Sequence, residues 1–177
     1  MTSSLDPPRA RAGDVAAAIL QVDSLLARME NPDRVPPTGL RDTLVSSMVD
    51  LSDVTDGFCT LVYMFVSSLR SVHEAAGRDV VEGVLPGALL ALRHMPKSVA
   101  PEAIPTMSAL ITAAALNLSP SLWRAQFGPW TPRELRALEA TALVLAIQIN
   151  RMQGDGRAAV RLVTDVLARV EADGGVG

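Results

Sequence analysis

The chain has 177 residues, a length that suits one domain able to bury roughly 70% of its unfolded surface. With 16 basic against 19 acidic residues and a net charge of −3, it lacks the basic face that general nucleic-acid binding needs to displace counterions. Residues 1–88 carry 7 basic and 12 acidic groups and residues 89–177 carry 9 and 7, an asymmetry too mild to imply an anionic partner.

Residues 1–13 hold Pro-Pro, two arginines and Gly13 and are expected to form a disordered tail with no apolar signal core. Asp14 then caps a helix to about Glu30, with Val15, Ile19, Val22, Leu25, Leu26 and Met29 at helical spacing. The three prolines of Asn31 to Gly39 break it. From Leu40 to Ala76 the pattern is helical again, with a break favoured at Ser52-Asp53. Its later part, Val54, Phe58, Leu61, Val62, Phe65, Leu69 and Val72, is apolar around most of its circumference, as a central helix would be. Asp79 caps the next helix, to about Met95, which Pro86 should kink or split.

After Pro96, Pro101 and Pro105, a helix from Glu102 to Leu118 turns Met107, Leu110, Ile111, Ala114 and Leu118 inward. Ser119-Pro120 starts a short helical turn. The strongest element is Thr131 to Gln153. Thr131 and Glu134 have the spacing of a capping box, and Pro132 stands at the first helical position. Leu135, Leu138, Ala142, Leu145, Ile149 and Met152 form one apolar seam, and Ala137, Ala140, Val144 and Ile147 a second beside it. Gly154 stops the helix. A last helix to about Ala172 turns Val160, Val163, Leu167 and Val170 inward, and its short link makes it an antiparallel neighbour. Residues 174–177 are a frayed tail. The expected fold is all-α: a single-domain bundle of seven or eight helices over residues 14–173, with a C-terminal antiparallel helical hairpin.

The segment WTPRELRALE resembles the opening of the LuxR-type helix-turn-helix domain over about ten residues. That family follows its first helix with a turn and a recognition helix, whereas ATALVLAIQINRMQ continues the same helix. The resemblance reduces to a shared capping box, and DNA binding is not carried over.

Catalytic and metal signatures are sparse. Asp50, Asp53 and Asp56 step by three, but DLSDVTDG has neither the alternate-position ligands nor the distal Glu of an EF-hand. Carboxylates in the positive first turn of a helix are the simpler account. His73 and His94 belong to no HExxH pair, and each sits near a predicted helix C-terminus, where imidazolium complements the dipole. No GxSxG elbow or glycine-rich phosphate loop accompanies them, so no cofactor is expected and an enzyme is the less favoured reading. Arg157, Arg161, Asp165, Arg169 and Asp173 repeat every four residues, the pattern of a solvated face with i,i+4 pairs. Cys59 is alone in an apolar run, which points to a buried, inert thiol. The longest strongly apolar run, Phe58 to Val66, is far shorter than the roughly 20 residues of a membrane span. The chain therefore reads as cytoplasmic, and the Asn117-Leu118-Ser119 sequon, with Pro120 behind it, as unused.

The most unusual stretch is Trp123 to Trp130, which holds both tryptophans and Phe127 in a chain that is 3% aromatic. It can be a plug that folds its rings over the end of the bundle. It can instead be an anchor for a partner or ligand, with Trp123, Arg124, Phe127 and Trp130 as the contact residues. With 49% hydrophobic residues, the leading expectation is an interaction or regulatory module that self-associates as a homodimer, with a protein partner possible. The alternative is a binder of an apolar small molecule, or an enzyme, with a pocket between helices lined by Met48, Met64, Met95, Met107 and Met152.

Overall fold

A computed structural model describes residues 11–31 and 51–174, with side chains described to residue 172 and, in the second stretch, from residue 54. The described residues form an all-α bundle of seven helices: α1 (Ala12–Glu30), α2 (Leu51–Ala75), α3 (Val80–Arg93), α4 (Ile104–Ala115), α5 (Pro120–Arg124), α6 (Pro132–Gln153) and α7 (Ala158–Gly174). Single 3-10 turns at Pro101–Ala103 and Ala125–Phe127 precede α4 and follow α5. The predicted tail 1–10, the proline-rich breaker and the helix from Leu40 lie outside the described residues. The described part of α2 begins at Leu51, and the break expected at Ser52-Asp53 turns on residues 40–50, which lie outside the described residues.

Several helix ends differ from expectation for local reasons. Helix α1 begins at Ala12, so Asp14 is not its cap but its third residue. From there its carboxylate reaches back to the Arg11 backbone N–H at 3.1 Å, the return half of a capping box. At its other end the chain stays helical to Gly174, which the expected tail included. Asp79 does cap α3, accepting from the N–H groups of Val81 and Glu82 at 2.7 and 3.1 Å. Yet α3 continues through Pro86 as one helix, with the exposed proline ring on its outer side. Helix α4 stops at Ala115, short of the predicted Leu118. Asn117 adopts a left-handed φ of 62°, while Leu118 N–H and Asn117 N–H donate to the carbonyls of Ala113 and Ala114. This is a Schellman stop with asparagine in the place glycine usually takes. The Asn117 Oδ1 then accepts from the Tyr63 hydroxyl and an Arg70 N–H of α2, which holds the turn.

Helices α2 and α6 are central, each packing against most of the others. Phe58, Leu61, Val62, Phe65 and Leu69 of α2 are buried, as are Leu138, Ala142, Leu145 and Ile149 of α6 and its second seam at Ala137, Ala140 and Val144. The seams fail only at helix ends: Met29, Val72 and Met152, expected inside, are exposed. Helices α1 and α2 meet at Gly57, where an added Cβ would lie 2.4 Å from the Asp14 carbonyl oxygen. His73 is a buried structural residue. Its Nδ1 donates to the Leu69 carbonyl at 2.8 Å, and its ring lies against Gly83 of α3.

Helix α6 ends at Gly154, whose φ of 64° and ψ of 26° an L side chain would strain. It packs against α7 across residues 154–157. Asn150 locks this corner, donating from Nδ2 to the Gly156 carbonyl at 2.5 Å and accepting at Oδ1 from the Ala159 N–H at 2.9 Å. Asn150→Ala would leave both backbone groups unpaired near the core and is expected to destabilise by roughly 1–2 kcal/mol in chemical denaturation. The expected Arg161–Asp165 and Asp165–Arg169 pairs give way to others: Arg161 pairs with Asp155, and Arg157 reaches Asp23 of α1 at 2.7 Å.

Candidate contact site

The segment from Ser119 to Glu134 crosses one end of the bundle, where α5 packs on α2 and α4. Ser119 caps α5 by accepting from the Leu122 N–H at 3.1 Å, and Pro120 fills its first position. Five residues of helix then place Trp123 half-buried against the core and Arg124 inward. The structure corrects the reading of Arg124 as a surface contact, because only 3% of it is exposed. Its Nη1 donates to the Gly128 carbonyl at 2.8 Å, and its Nη2 to the Pro129 carbonyl at 3.2 Å and to Glu134 Oε2 at 2.8 Å. The guanidinium carbon lies 4.6 Å from the centre of the Trp130 ring, in cation–π range. A buried cation is tolerated only with such pairing.

Glu134 is the counterpart. Its Oε2 accepts from Arg124, from the Thr131 N–H at 2.9 Å and from the Thr131 hydroxyl at 3.0 Å, and its Oε1 accepts from the Thr106 hydroxyl of α4 at 3.3 Å. One carboxylate therefore closes the capping box of α6 and joins α4, α5 and α6. Burial by itself raises the Glu134 pKa, but the Thr131 N–H, the Arg124 and Thr131 side-chain hydrogen bonds and the Arg124 charge outweigh it. The net effect is a carboxyl held below the usual carboxylate range.

The aromatic residues divide. Trp130 is half-buried under Arg124, and Trp123 is half-buried with its ring 4.8 Å from that of Phe127 at a tilt of 46°. Phe127 itself is 63% exposed. Leu116, Leu118 and Leu122 are each more than 40% exposed; Leu116 and Leu118 share a groove wall with Trp123, and Leu122 precedes Trp123 on α5. These leucines were not singled out in the sequence, and Leu118 was assigned to the core. The signal was local: a helix that stops at Asn117 turns the residues beside the stop outward. Between α4 and Trp123 runs an open groove of about 460 Å³, walled by Pro105, Ala109, Thr112, Leu116, Leu118 and Trp123, with no charged group in its wall. A second cleft, of about 690 Å³, is walled by Glu102, Arg124, Phe127, Arg133, Glu134 and Arg136 among others. Glu102 and Arg133 are paired across it.

Neither cleft has a methionine in its wall, so the expected methionine-lined space is not found in them. Among the described residues no group of three or more His, Cys, Asp or Glu is placed to hold a metal ion, and no helix is long and apolar enough to cross a membrane. No family model, curated protein or solved structure matches this chain.

Proposed function

We propose that the chain is an interaction or regulatory module that self-associates as a homodimer through the face bearing Leu116, Leu118, Leu122 and Phe127. The observation that carries this reading is the exposure of Leu116 and Leu118 in the wall of an uncharged groove whose Trp123 packs on the exposed Phe127, with the exposed Leu122 next to Trp123 on α5. Exposed apolar groups gathered on one face, as opposed to scattered singly, mark contact sites. A second copy is the occupant because the face bears a projecting ring, Phe127, and an open groove side by side. A two-fold contact requires such self-complementarity, since each copy offers the same surface to the other. Trp123 remains a contact residue at the groove wall, whereas Arg124 and Trp130 support the loop from within. The reading includes a cytoplasmic setting, supported by the lone buried thiol of Cys59, and no role in nucleic-acid binding, supported by the net charge of −3.

Native mass spectrometry at micromolar concentration tests it. The wild type should give twice the chain mass, and Phe127→Glu combined with Leu116→Glu should give the single-chain mass with unchanged helicity. A wild type that is monomeric throughout, or a dimer indifferent to the two charges, would overturn the reading. A chain carrying a few hundred extra daltons would instead favour the apolar small-molecule alternative.

A further inference from the structure

We infer that the segment Arg124–Thr131 is a strap held closed through the single Glu134 carboxylate, and that it opens as a unit, ahead of the bundle, when that carboxylate loses its charge. Among the described residues, Gly128, Pro129 and Trp130 take part in no backbone–backbone hydrogen bond outside the helices. Apart from the packing of the Trp130 ring against the core, their hold on the protein is polar and runs through Arg124, whose N–H groups donate to the carbonyls of Gly128 and Pro129 and to Glu134 Oε2. The same oxygen takes both the N–H and the hydroxyl of Thr131, where the strap ends.

Protonating Glu134 would leave Arg124 as a cation without a counter-charge at 3% exposure. Keeping an unpaired charge there is far more costly than releasing it to water. Arg124 carries the two loop carbonyls with it when it leaves, so the loop follows. The core seams of α2 and α6, from Phe58 to Leu69 and from Ala137 to Ile149, contain no part of this network. They have no reason to separate at the same step.

The charged groups around Glu134 are Arg124 from α5, Glu102 from the turn before α4, and Arg133 and Arg136 on its own helix. Thr106 faces it from α4 as a neutral hydroxyl. Because the closed state lowers the Glu134 pKa, closure is favoured above the ordinary carboxylate range and is lost as pH falls through the lowered value. The consequence for the proposed contact face, which would lose the seating of Phe127, rests on the self-association reading. The opening itself does not.

Trp123 and Trp130 are the only tryptophans in the chain; Trp130 lies in the strap and Trp123 packs on its Phe127 ring, so indole fluorescence reports on the strap and its seating. Acrylamide quenching of the wild type is followed against pH, with far-UV circular dichroism recorded on the same samples. Quenching should rise in an acid step that precedes any loss of helix signal. Glu134→Gln should show the raised quenching at neutral pH, with normal helicity and no acid step. Quenching and helix signal that change together, or quenching that stays flat until the helices melt, would overturn the proposal. Should Glu134→Gln not fold, Arg124→Met takes its place: with no cation to strand, its quenching should be indifferent to pH until the helices melt. An acid step retained in that variant would count against the strap as well.

Discussion

Arg124→Ala is expected to cost about 3–5 kcal/mol, the range seen when one partner of a buried ion pair is removed. Three losses coincide. The Gly128 and Pro129 carbonyls lose their donor, Glu134 keeps only its hydroxyl and N–H partners from Thr131 and Thr106, and the face of the Trp130 ring loses its cation. For a chain of this size, such a loss should lower the melting temperature by roughly 6–20 °C. Arg124→Lys should recover only part of it, because a single ammonium cannot reach two carbonyls and a carboxylate in the planar fork that guanidinium provides. A calorimetric scan showing Arg124→Ala within about 1 kcal/mol of the wild type would mean that the buried pair merely offsets its own desolvation.

Gly57→Val should be the next most damaging change, at about 3 kcal/mol. A Cβ at position 57 would stand 2.4 Å from the Asp14 carbonyl oxygen and 3.3 Å from the Ala18 Cβ, so it meets backbone that has no rotamer to yield. Relief requires α1 to move off α2, and α1 seats Val15, Ala18, Ile19 and Val22 in the core. Gly57→Ala separates the terms. Replacing a mid-helix glycine by alanine ordinarily gains about 1 kcal/mol, so a net loss of roughly 1–2 kcal/mol would still expose the clash. Gly87→Ala on α3 is the control, because its Cβ would touch only the Gln148 amide at 3.4 Å. That variant should be neutral or stabilised. Equal effects at the two glycines in urea denaturation would show that α1 accommodates the methyl.

How far the fold could be read in advance follows from where the information lies. The seams of α6 and α2 are periodic over several turns, and the capping residues Asp79, Ser119 and Thr131 act within three residues of themselves. Signals of that range are carried by the chain locally. The seams broke at Met29, Val72 and Met152, where periodicity continues to the helix end but the neighbouring helix does not. Leu118 failed for a related reason, since the left-handed turn at Asn117 removes it from the helix whose inner face it would have extended. In the candidate site, the aromatic cluster was visible as composition, and of its members Phe127 is exposed while Trp123 and Trp130 are half-buried. The inward turn of Arg124 was not visible, because it depends on two loop carbonyls and a carboxylate ten residues further on.

Local pattern was enough to read the all-α class of the described residues, where the strongest helix starts and stops, and which faces are apolar. Those properties arise from hydrogen bonds and side-chain spacing within a few residues. The packing of distant segments sets the rest: Gly57 is a crossing point, Arg124 is buried while Phe127 stands out, and Leu116 and Leu118 line one open groove. Burial and close approach are set by what a distant segment brings alongside, and a one-dimensional pattern records a residue's own preference without recording its neighbour.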